Sequence, residues 1–321
     1  MSDSPALHKA AIGSMLQDWR KYIIYIGFVV IFMIFSVTLF DKGFLTVNNV
    51  LNIVRQTAPI AIMAVAMTFV LAAGEIDLSI GMVVGLASLT TAMAIDIGGL
   101  PLGILAGLAT GLVVGIINGL LTTRVGIPSF LATLAMMGIA RGTAMWLTQT
   151  KSVKIMDDTY NAVFGGGDLF GIPSLLYWLA IAGAIGHVVL KKTTFGRRVL
   201  ATGGSETAAR YSGVNTASIK MRVLIISSIT ACFAGMLDAG RYTTGRFQLG
   251  EGDELSVIAA VVLGGTSLFG GAGTVIGSIV GALMIGLINN GLLLMQMELS
   301  QQLIVRGIII ILAVALSPAR K

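Results

Sequence analysis

Long apolar stretches separated by short polar segments run through nearly the whole sequence, and they limit its fold more than any other feature. A helix needs about 20 mostly apolar residues to cross a bilayer. Ten stretches are candidates: 22–40, 58–73, 78–95, 102–121, 130–147, 174–190, 223–239, 255–267, 274–295 and 303–316. Charged residues make up only 11% of the chain, whereas soluble domains carry about 25%. The sequence predicts an all-α polytopic membrane protein with about ten transmembrane helices, a single domain over 1–321, and it excludes a soluble enzyme.

The eighth stretch, 255–267, is the shortest. Its 13 residues would rise only about 20 Å as a helix, which is less than the roughly 30 Å hydrocarbon core. Its C-terminal end is rich in glycine. We expect a broken or partly re-entrant element here.

Basic residues indicate the orientation. With ten spans and the N-terminus inside, thirteen Lys and Arg residues fall on the cytoplasmic side and six outside, and seven of the thirteen lie in segment 191–222. Cytoplasmic loops are enriched in Lys and Arg, so both termini are expected to be cytoplasmic. The net charge of +6 then reflects topology and does not indicate nucleic-acid binding. One cysteine and two histidines are too few for a metal site, so no metal is expected.

Three short motifs recur in the same order in the second half of the chain. They pair Asp77 with Glu254, Gly115 with Gly286 and Arg141 with Arg306, at offsets of 177, 171 and 165 residues. Because five spans separate equivalent helices, the copies (spans two to five and seven to ten) would cross the membrane in opposite senses. Inverted repeats are typical of transporters. The alternative is chance similarity among apolar helices.

An acid-Leu-Ser motif precedes an apolar stretch in each repeat, with Asp77 and Ser79 in the first and Glu254 and Ser256 in the second. A carboxylate and a hydroxyl at a helix start can cap free backbone N–H groups. Interrupted segments in equivalent places of two repeats also tend to line a translocation path. Both interpretations can hold together.

Glycines recur at every fourth position of the fourth span: Gly103, Gly107, Gly111, Gly115 and Gly119. They predict a helix face on which another backbone can pack closely. Asn118 and Asn289 lie near the ends of this helix and of its counterpart, where they could bond across helices or contact a polyol. Arg141 and Arg306 stand near membrane depth, as functional charges or as snorkelling side chains.

Segment 191–222 contains a predicted short helix in addition to its basic residues. A Gly203-Gly204 break precedes a predicted short helix with Glu206 near its start, Arg210 near its end and Gly213 as its stop. Such a helix offers a cytoplasmic partner a surface to push against. The alternative is a loop that only sets topology. The chain contains no G-x-x-x-x-G-K-[ST] motif, so any ATP hydrolysis must come from another chain.

Three segments resemble the permease subunits of bacterial ATP-binding-cassette (ABC) importers for ribose, xylose and related monosaccharides. They are 70–81 (VLAAGEIDLSIG), 201–215 (ATGGSETAARYSGVN) and 257–283 (VIAAVVLGGTSLFGGAGTVIGSIVGAL). That family typically has Gly-Gly-Ile-Asp-Leu-Ser, and here Glu75 replaces the second glycine. The resemblance covers nearly the whole chain and implies a fold like that of type II ABC importers.

The resemblance also implies the assembly. It implies a multi-pass homodimer in the bacterial inner membrane, cytoplasmic subunits that bind ATP and Mg²⁺, and a periplasmic sugar-binding protein. No cofactor is implied for this chain, whose other partner is the lipid bilayer. Segment 203–215 would be the coupling helix, with Ala208 and Ala209 facing the ATPase. The substrate would be a pentose, a hexose or a sugar alcohol.

Other transport functions remain open. Branched-chain amino-acid permeases share the later motifs, so another small solute, such as a branched-chain amino acid or a nucleoside, is the main alternative. An ion-coupled secondary transporter is a further one, but such carriers place ionisable groups at mid-membrane. The spans here lack carboxylates in their middles, and the nearest, Asp238, lies at the end of the seventh. A channel is disfavoured because no rings of charge are present.

Overall fold

The structure is a computed structural model that describes residues 24–316, and helices dominate it. Within this range the helices are α1 Ile24–Thr38, α2 Val47–Ala72, α3 Ile80–Leu120, α4 Ser129–Thr148, α5 Asp158–Asn161, α6 Ser174–Lys192, α7 Thr194–Gly204, α8 Glu206–Tyr211, α9 Thr216–Tyr242, α10 Asp253–Leu263, α11 Val275–Leu294 and α12 Leu299–Leu316. Strand β1 (Val153–Lys154) pairs with β4 (Thr244–Gly245), and β2 (Asp168–Leu169) pairs with β3 (Ile172–Pro173), both antiparallel. The predicted basic N-terminal segment and the basic C-terminal residues lie outside the described range.

Between residues 24 and 316, six helices are long and apolar enough to cross a membrane: α2, α3 with the π-turn that follows it, α4, α6, α9 and α11. The mainly helical, polytopic architecture is therefore confirmed. Side chains such as Leu105, Ile139 and Trp146 are exposed on these helices. An outer surface of this kind suits contact with lipid.

Helix α3 contains a break that divides it into two parts. Its 41 residues would span about 60 Å if continuous, twice the thickness of a hydrocarbon core. Gly98 and Gly99 leave the helical conformation, and Gly99 has φ of 72°, a left-handed value that glycine adopts without strain. Pro101 follows at the start of the second part. The break falls between the predicted spans 78–95 and 102–121.

Two helices begin well before their predicted starts, because capped polar turns extend them beyond the apolar stretch. Helix α2 begins at Val47 and not at 58, and the Thr46 hydroxyl caps it by accepting from the Asn49 N–H at 3.3 Å. Helix α9 begins at Thr216 and not at 223, with the Asn215 side chain as its cap. A search for apolar residues alone misses such turns.

Helix α10 corresponds to the eighth apolar stretch. Its 11 residues rise only about 16 Å, too little to cross a membrane. Gly252 before it and Gly265 after it both have positive φ, 82° and 87°. The expectation of a short, broken element is confirmed for this segment.

The largest helix–helix interface joins α3 and α9. The C-terminal part of the glycine face on α3 lies against α9, where a Cβ on Gly115 would come within 2.6 Å of Ile225 Cα, while Gly103 packs on the first part of α3. A Cβ on Gly111 would come within 2.7 Å of the Ser228 carbonyl oxygen. All five glycines of this face are buried. Helix α11 packs on α2 in the next largest interface.

Candidate functional site

A buried polar cluster lies where the chain enters α3. The Ser79 hydroxyl donates to Asp77 Oδ1 at 2.6 Å, and the Ser79 N–H donates to the same oxygen at 2.9 Å. From the far end of α3, the Asn118 amide donates to Ser79 Oγ at 3.0 Å. All three side chains are 0% exposed. The structure thus brings together three of the residues singled out in the sequence.

The cluster leaves hydrogen-bonding capacity unused. Asp77 Oδ2 and Asn118 Oδ1 are buried and have no hydrogen-bond partner among the described residues. A buried polar atom without a partner costs free energy, so such atoms need a specific explanation. Strain or an absent ligand are the usual ones.

The acid-Leu-Ser motif of the first repeat caps its helix through the carboxylate and not through the hydroxyl. Asp77 accepts the backbone N–H of Ser79 just before α3, whereas the Ser79 hydroxyl, at the N-cap position, donates to Asp77 and makes no capping bond. Helix α10 begins at Asp253, and its N-cap is Gly252, so Glu254 lies already in the first turn. The two helix starts nevertheless meet, since a Cβ on Gly81 would collide with the Glu254 carboxylate. Ser256 is fully buried, and its hydroxyl lacks a partner among the described residues.

Asn289 lies apart from these residues, in a cavity of about 410 Å³ between α2, α9, α10, α11 and α12. Charged groups from three helices face it: Asp238 and Arg241 from α9, Asp253 from α10 and Arg306 from α12. We call this space the charged cavity. Of these residues, sequence reasoning singled out Asn289 and Arg306 and noted Asp238 only as the carboxylate nearest a span. Arg141, the repeat counterpart of Arg306, instead pairs with Glu251 at 2.8 Å.

A second group of charges surrounds the start of α9. Lys220 Nζ lies 2.8 Å from Glu75 Oε1 and 2.8 Å from Glu206 Oε2. We call these three residues the ion triad. Glu75 is only 6% exposed, and Glu206 also accepts from the Thr216 hydroxyl at 3.2 Å. The hydrogen bond from Lys220 is the main cause that lowers the pKa of Glu206.

The ion triad connects α8 to the loop that holds the buried cluster, since Glu75 is only two residues before Asp77. Sequence reasoning noted that Glu75 departs from the family pattern but did not find its partner. Lys220 was counted only as one of several basic residues. The available signal was the charged Glu75 within an otherwise apolar segment, because a buried charge requires a counter-charge elsewhere in the fold.

The predicted short helix is present as α8, and the Ser205 hydroxyl caps it by accepting from the Ala208 N–H at 3.3 Å. Gly213 follows it with φ of 81°. Ala209 is buried, whereas Ala208 is exposed and Tyr211 is 90% exposed. Arg210 pairs with Glu206 at 3.1 Å within the helix.

The predicted break lies at the end of the Gly203-Gly204 pair: α7 ends at Gly204, the chain turns at Ser205, and α8 begins at Glu206. The reason for glycine is close packing: a Cβ on Gly203 would collide with the carbonyl of Ala72, at the end of α2. The Gly271 N–H donates to that same carbonyl at 3.0 Å. An open cleft of about 330 Å³ lies beside this contact and is lined in part by Glu206 and Lys220.

These features define a class. A polytopic helical bundle with closely packed glycine faces, broken helices and buried polar groups is a membrane transport protein. Residues 49–314 match the family described as the branched-chain amino acid transport system permease component, and the chain belongs to that family. No solved structure matches the chain. Among the described residues, no group of three or more His, Cys, Asp or Glu could hold a metal ion.

Curated relatives match over most of their length. The ribose import permease protein of Bacillus subtilis (strain 168) is 40% identical over 286 residues, which cover 88% of this chain and 89% of that protein. Its namesake in Escherichia coli (strain K12) is 38% identical over 290 residues, with the same coverage. The L-arabinose transport system permease protein of Escherichia coli (strain K12) is 37% identical over 298 residues, 92% of this chain and 90% of that one.

Proposed function

We propose that this chain is the translocation subunit of an ABC importer for a monosaccharide, that is, a pentose, a hexose or a sugar alcohol. The names of the ribose and L-arabinose permeases support the substrate class. The observation that carries the proposal is the ion triad, which ties an exposed, capped helix to the loop at the buried polar cluster. ATP hydrolysis takes place in a separate cytoplasmic subunit with Mg²⁺.

Helix α8 is the coupling helix in this proposal. The ATPase contacts the exposed face that carries Ala208 and Tyr211, while buried Ala209 seats the helix on its own chain. A displacement of α8 acts through Glu206 and Lys220 on Glu75, and from there on the loop containing Asp77. The close contact of Gly203 with Ala72 transmits the same displacement to the end of α2.

The translocation path begins at the helix starts of the two repeats. Asp77, Ser79 and Asn118 line it on one side, and Glu254 and Ser256 on the other, with Asn289 further along. The meeting of the two helix starts at Gly81 supports this arrangement. Small rearrangements there would offer the unpaired polar atoms of the cluster to a polyol.

Ten spans with an inverted repeat and both termini in the cytoplasm complete the proposed architecture. Packing supports the repeat, since the second part of α3 packs on α9 and the equivalent helix α11 packs on α2. The assembly contains two copies of this chain and a periplasmic sugar-binding protein, and it lies in the inner membrane.

A permease for a branched-chain amino acid or a nucleoside is the second candidate, and the description of the family favours the amino acid. One experiment separates the two. The chain is reconstituted in liposomes with and without its ATPase and binding protein, and uptake of D-ribose, L-arabinose and L-leucine is measured. Sugar uptake that requires ATP and all subunits is expected. Uptake by this chain alone, driven by an ion gradient, would refute the ABC assignment.

A further inference from the structure

The charged cavity contains carboxylates without hydrogen-bond partners. Asp238 is only 8% exposed and faces the cavity, and its carboxylate makes no hydrogen bond or salt bridge with any described residue. Asp253, at the start of α10, faces the same space; its backbone N–H donates to the Gly250 carbonyl at 3.0 Å, but its carboxylate makes no hydrogen bond with a described residue. A buried carboxylate has up to four acceptor positions. For a side chain as buried as that of Asp238 it is costly to leave these positions unused, so this space is suited to a ligand that donates hydrogen bonds.

The charges in the cavity balance. Two arginines, Arg241 and Arg306, line it together with two aspartates, Asp238 and Asp253. Glu251 at its edge is already paired with Arg141. A solute with a net charge would leave one charge uncompensated after desolvation. The balance favours a neutral solute with several polar groups.

A polyhydroxylated solute suits this set of side chains. Each hydroxyl both donates and accepts, so hydroxyls can donate to the carboxylates while the guanidinium groups donate to hydroxyl oxygens. The side chains of Gln248 and Asn289 add amide groups to the lining. The volume of about 410 Å³ lies within the usual range of about 300–1,000 Å³ for small-molecule sites.

We propose that the charged cavity is a binding site for one monosaccharide within a single copy of the chain. Asp238 and Asp253 accept hydrogen bonds from sugar hydroxyls, and Arg241 and Arg306 donate to sugar oxygens. The inference rests on the proposed function and adds to it a defined solute site, separate from the helix starts at Asp77 and Glu254.

Cysteine protection tests this site, because the single native cysteine, Cys232, is 0% exposed. Gln248→Cys and Gln302→Cys place a thiol at two different positions of the lining. Lys151→Cys, at an exposed position outside the cavity, is the matched control. The complete importer, reconstituted in nanodiscs, is labelled with a small polar maleimide. D-Ribose or L-arabinose should slow labelling of both cavity cysteines and leave the control unchanged, whereas L-leucine should have no effect.

Substitution of the carboxylates then tests their role. Asp238→Asn and Asp253→Asn should each raise the sugar concentration for half-protection about tenfold or more, the effect of losing a hydrogen bond to a charged group. Asp96→Asn, at an exposed position, should not. Unchanged half-protection in both variants would overturn the assignment of the carboxylates.

Two further outcomes would refute the site itself. If the cavity cysteines are never labelled, the cavity is closed to solutes. If they are labelled but no sugar slows the labelling, the cavity does not bind a sugar. If the same complex still takes up a sugar with ATP, the proposed function stands and only this inference fails. Protection by L-leucine alone would assign the cavity to an amino acid. Absence of uptake for every sugar would instead contradict the proposed function.

Discussion

Replacing Lys220 by methionine should uncouple ATP hydrolysis from transport. The substitution keeps the apolar stem of the side chain but removes both ion pairs, and it leaves Glu75, only 6% exposed, without a counter-charge. Loss of one partner of a buried pair costs about 3–5 kcal/mol. Because the Lys220 side chain is 21% exposed and that of Glu206 is 38% exposed, we expect a smaller cost, about 2–3 kcal/mol. This corresponds to a roughly 30- to 150-fold weaker docking of α8 on the Glu75 loop.

The assay compares sugar uptake with ATP hydrolysis in the reconstituted importer. Lys220→Met should lose most of its uptake per ATP hydrolysed, and it should also lower the amount of folded chain in the membrane. Lys192→Met, in the same segment but exposed and without an ion pair among the described residues, is the control. It should behave as the unmodified chain.

A second substitution separates coupling from folding. In the double variant Glu75→Gln with Lys220→Met, the buried carboxylate of the ion triad is removed together with its counter-charge, so the amount of folded chain should recover. Transmission from α8 should not recover, because the link through Glu206, Lys220 and Glu75 is still absent. A double variant with normal uptake per ATP would show that the ion triad only stabilises the fold, and it would refute this reasoning.

Four further predictions concern the packing and the coupling helix. Gly111→Leu or Gly115→Leu should destabilise the α3–α9 interface by about 1–3 kcal/mol or more, measured as loss of monodisperse protein. The control is Gly138→Leu, because a Cβ at that position meets nothing within 4 Å. Equal yields of monodisperse protein would contradict the packing. Gly213→Val should weaken ATPase co-purification because its φ of 81° disfavours a β-branched residue, while Gly213→Asn should be tolerated; equal effects would indicate a role other than backbone conformation. Ala208→Glu, on the exposed face of α8, should abolish ATPase co-purification at normal membrane levels, and full association would place the docking surface elsewhere. The folded-state pKa of Glu206 is lowered below 4.5, so the stability that its ion pairs provide is complete above that pH and is lost as the pH falls through the folded-state pKa. Co-purification of the ATPase should therefore stay constant from pH 8 down to about pH 5. A decline within this window would contradict the pairing.

Residues close together in the sequence were the easiest to interpret. Apolar length located the long helices, and the interval between 95 and 102 anticipated the break at Gly98 and Gly99. The spacing of four in the glycine face of α3 predicted close backbone contact, although not that α9 would supply the backbone. The start of α2 is harder to predict from apolar length, because polar and charged residues such as Asn49, Asn52 and Arg55 interrupt its apolar residues.

Features built from distant segments could not be predicted in the same way. Glu75 and Lys220 are 145 residues apart, and only the tertiary structure shows that they pair. The charged cavity draws its residues from five helices, so no local pattern contains it. The same holds for the two Gly-Gly pairs at 203–204 and 270–271, which allow two distant backbone segments to approach each other closely.

The ion triad also limits how this subunit can be recombined with its relatives. Segment 191–222 has the appearance of an exchangeable module, yet it carries Glu206 and Lys220 while Glu75 belongs to the recipient. A donor segment without a basic residue at 220 would leave Glu75 unneutralised in the host. The same donor placed in a host with glycine at 75 meets no such conflict. The smallest transplantable unit is therefore discontinuous, and a chimaera that is to accept a foreign ATPase must exchange position 75 together with the segment.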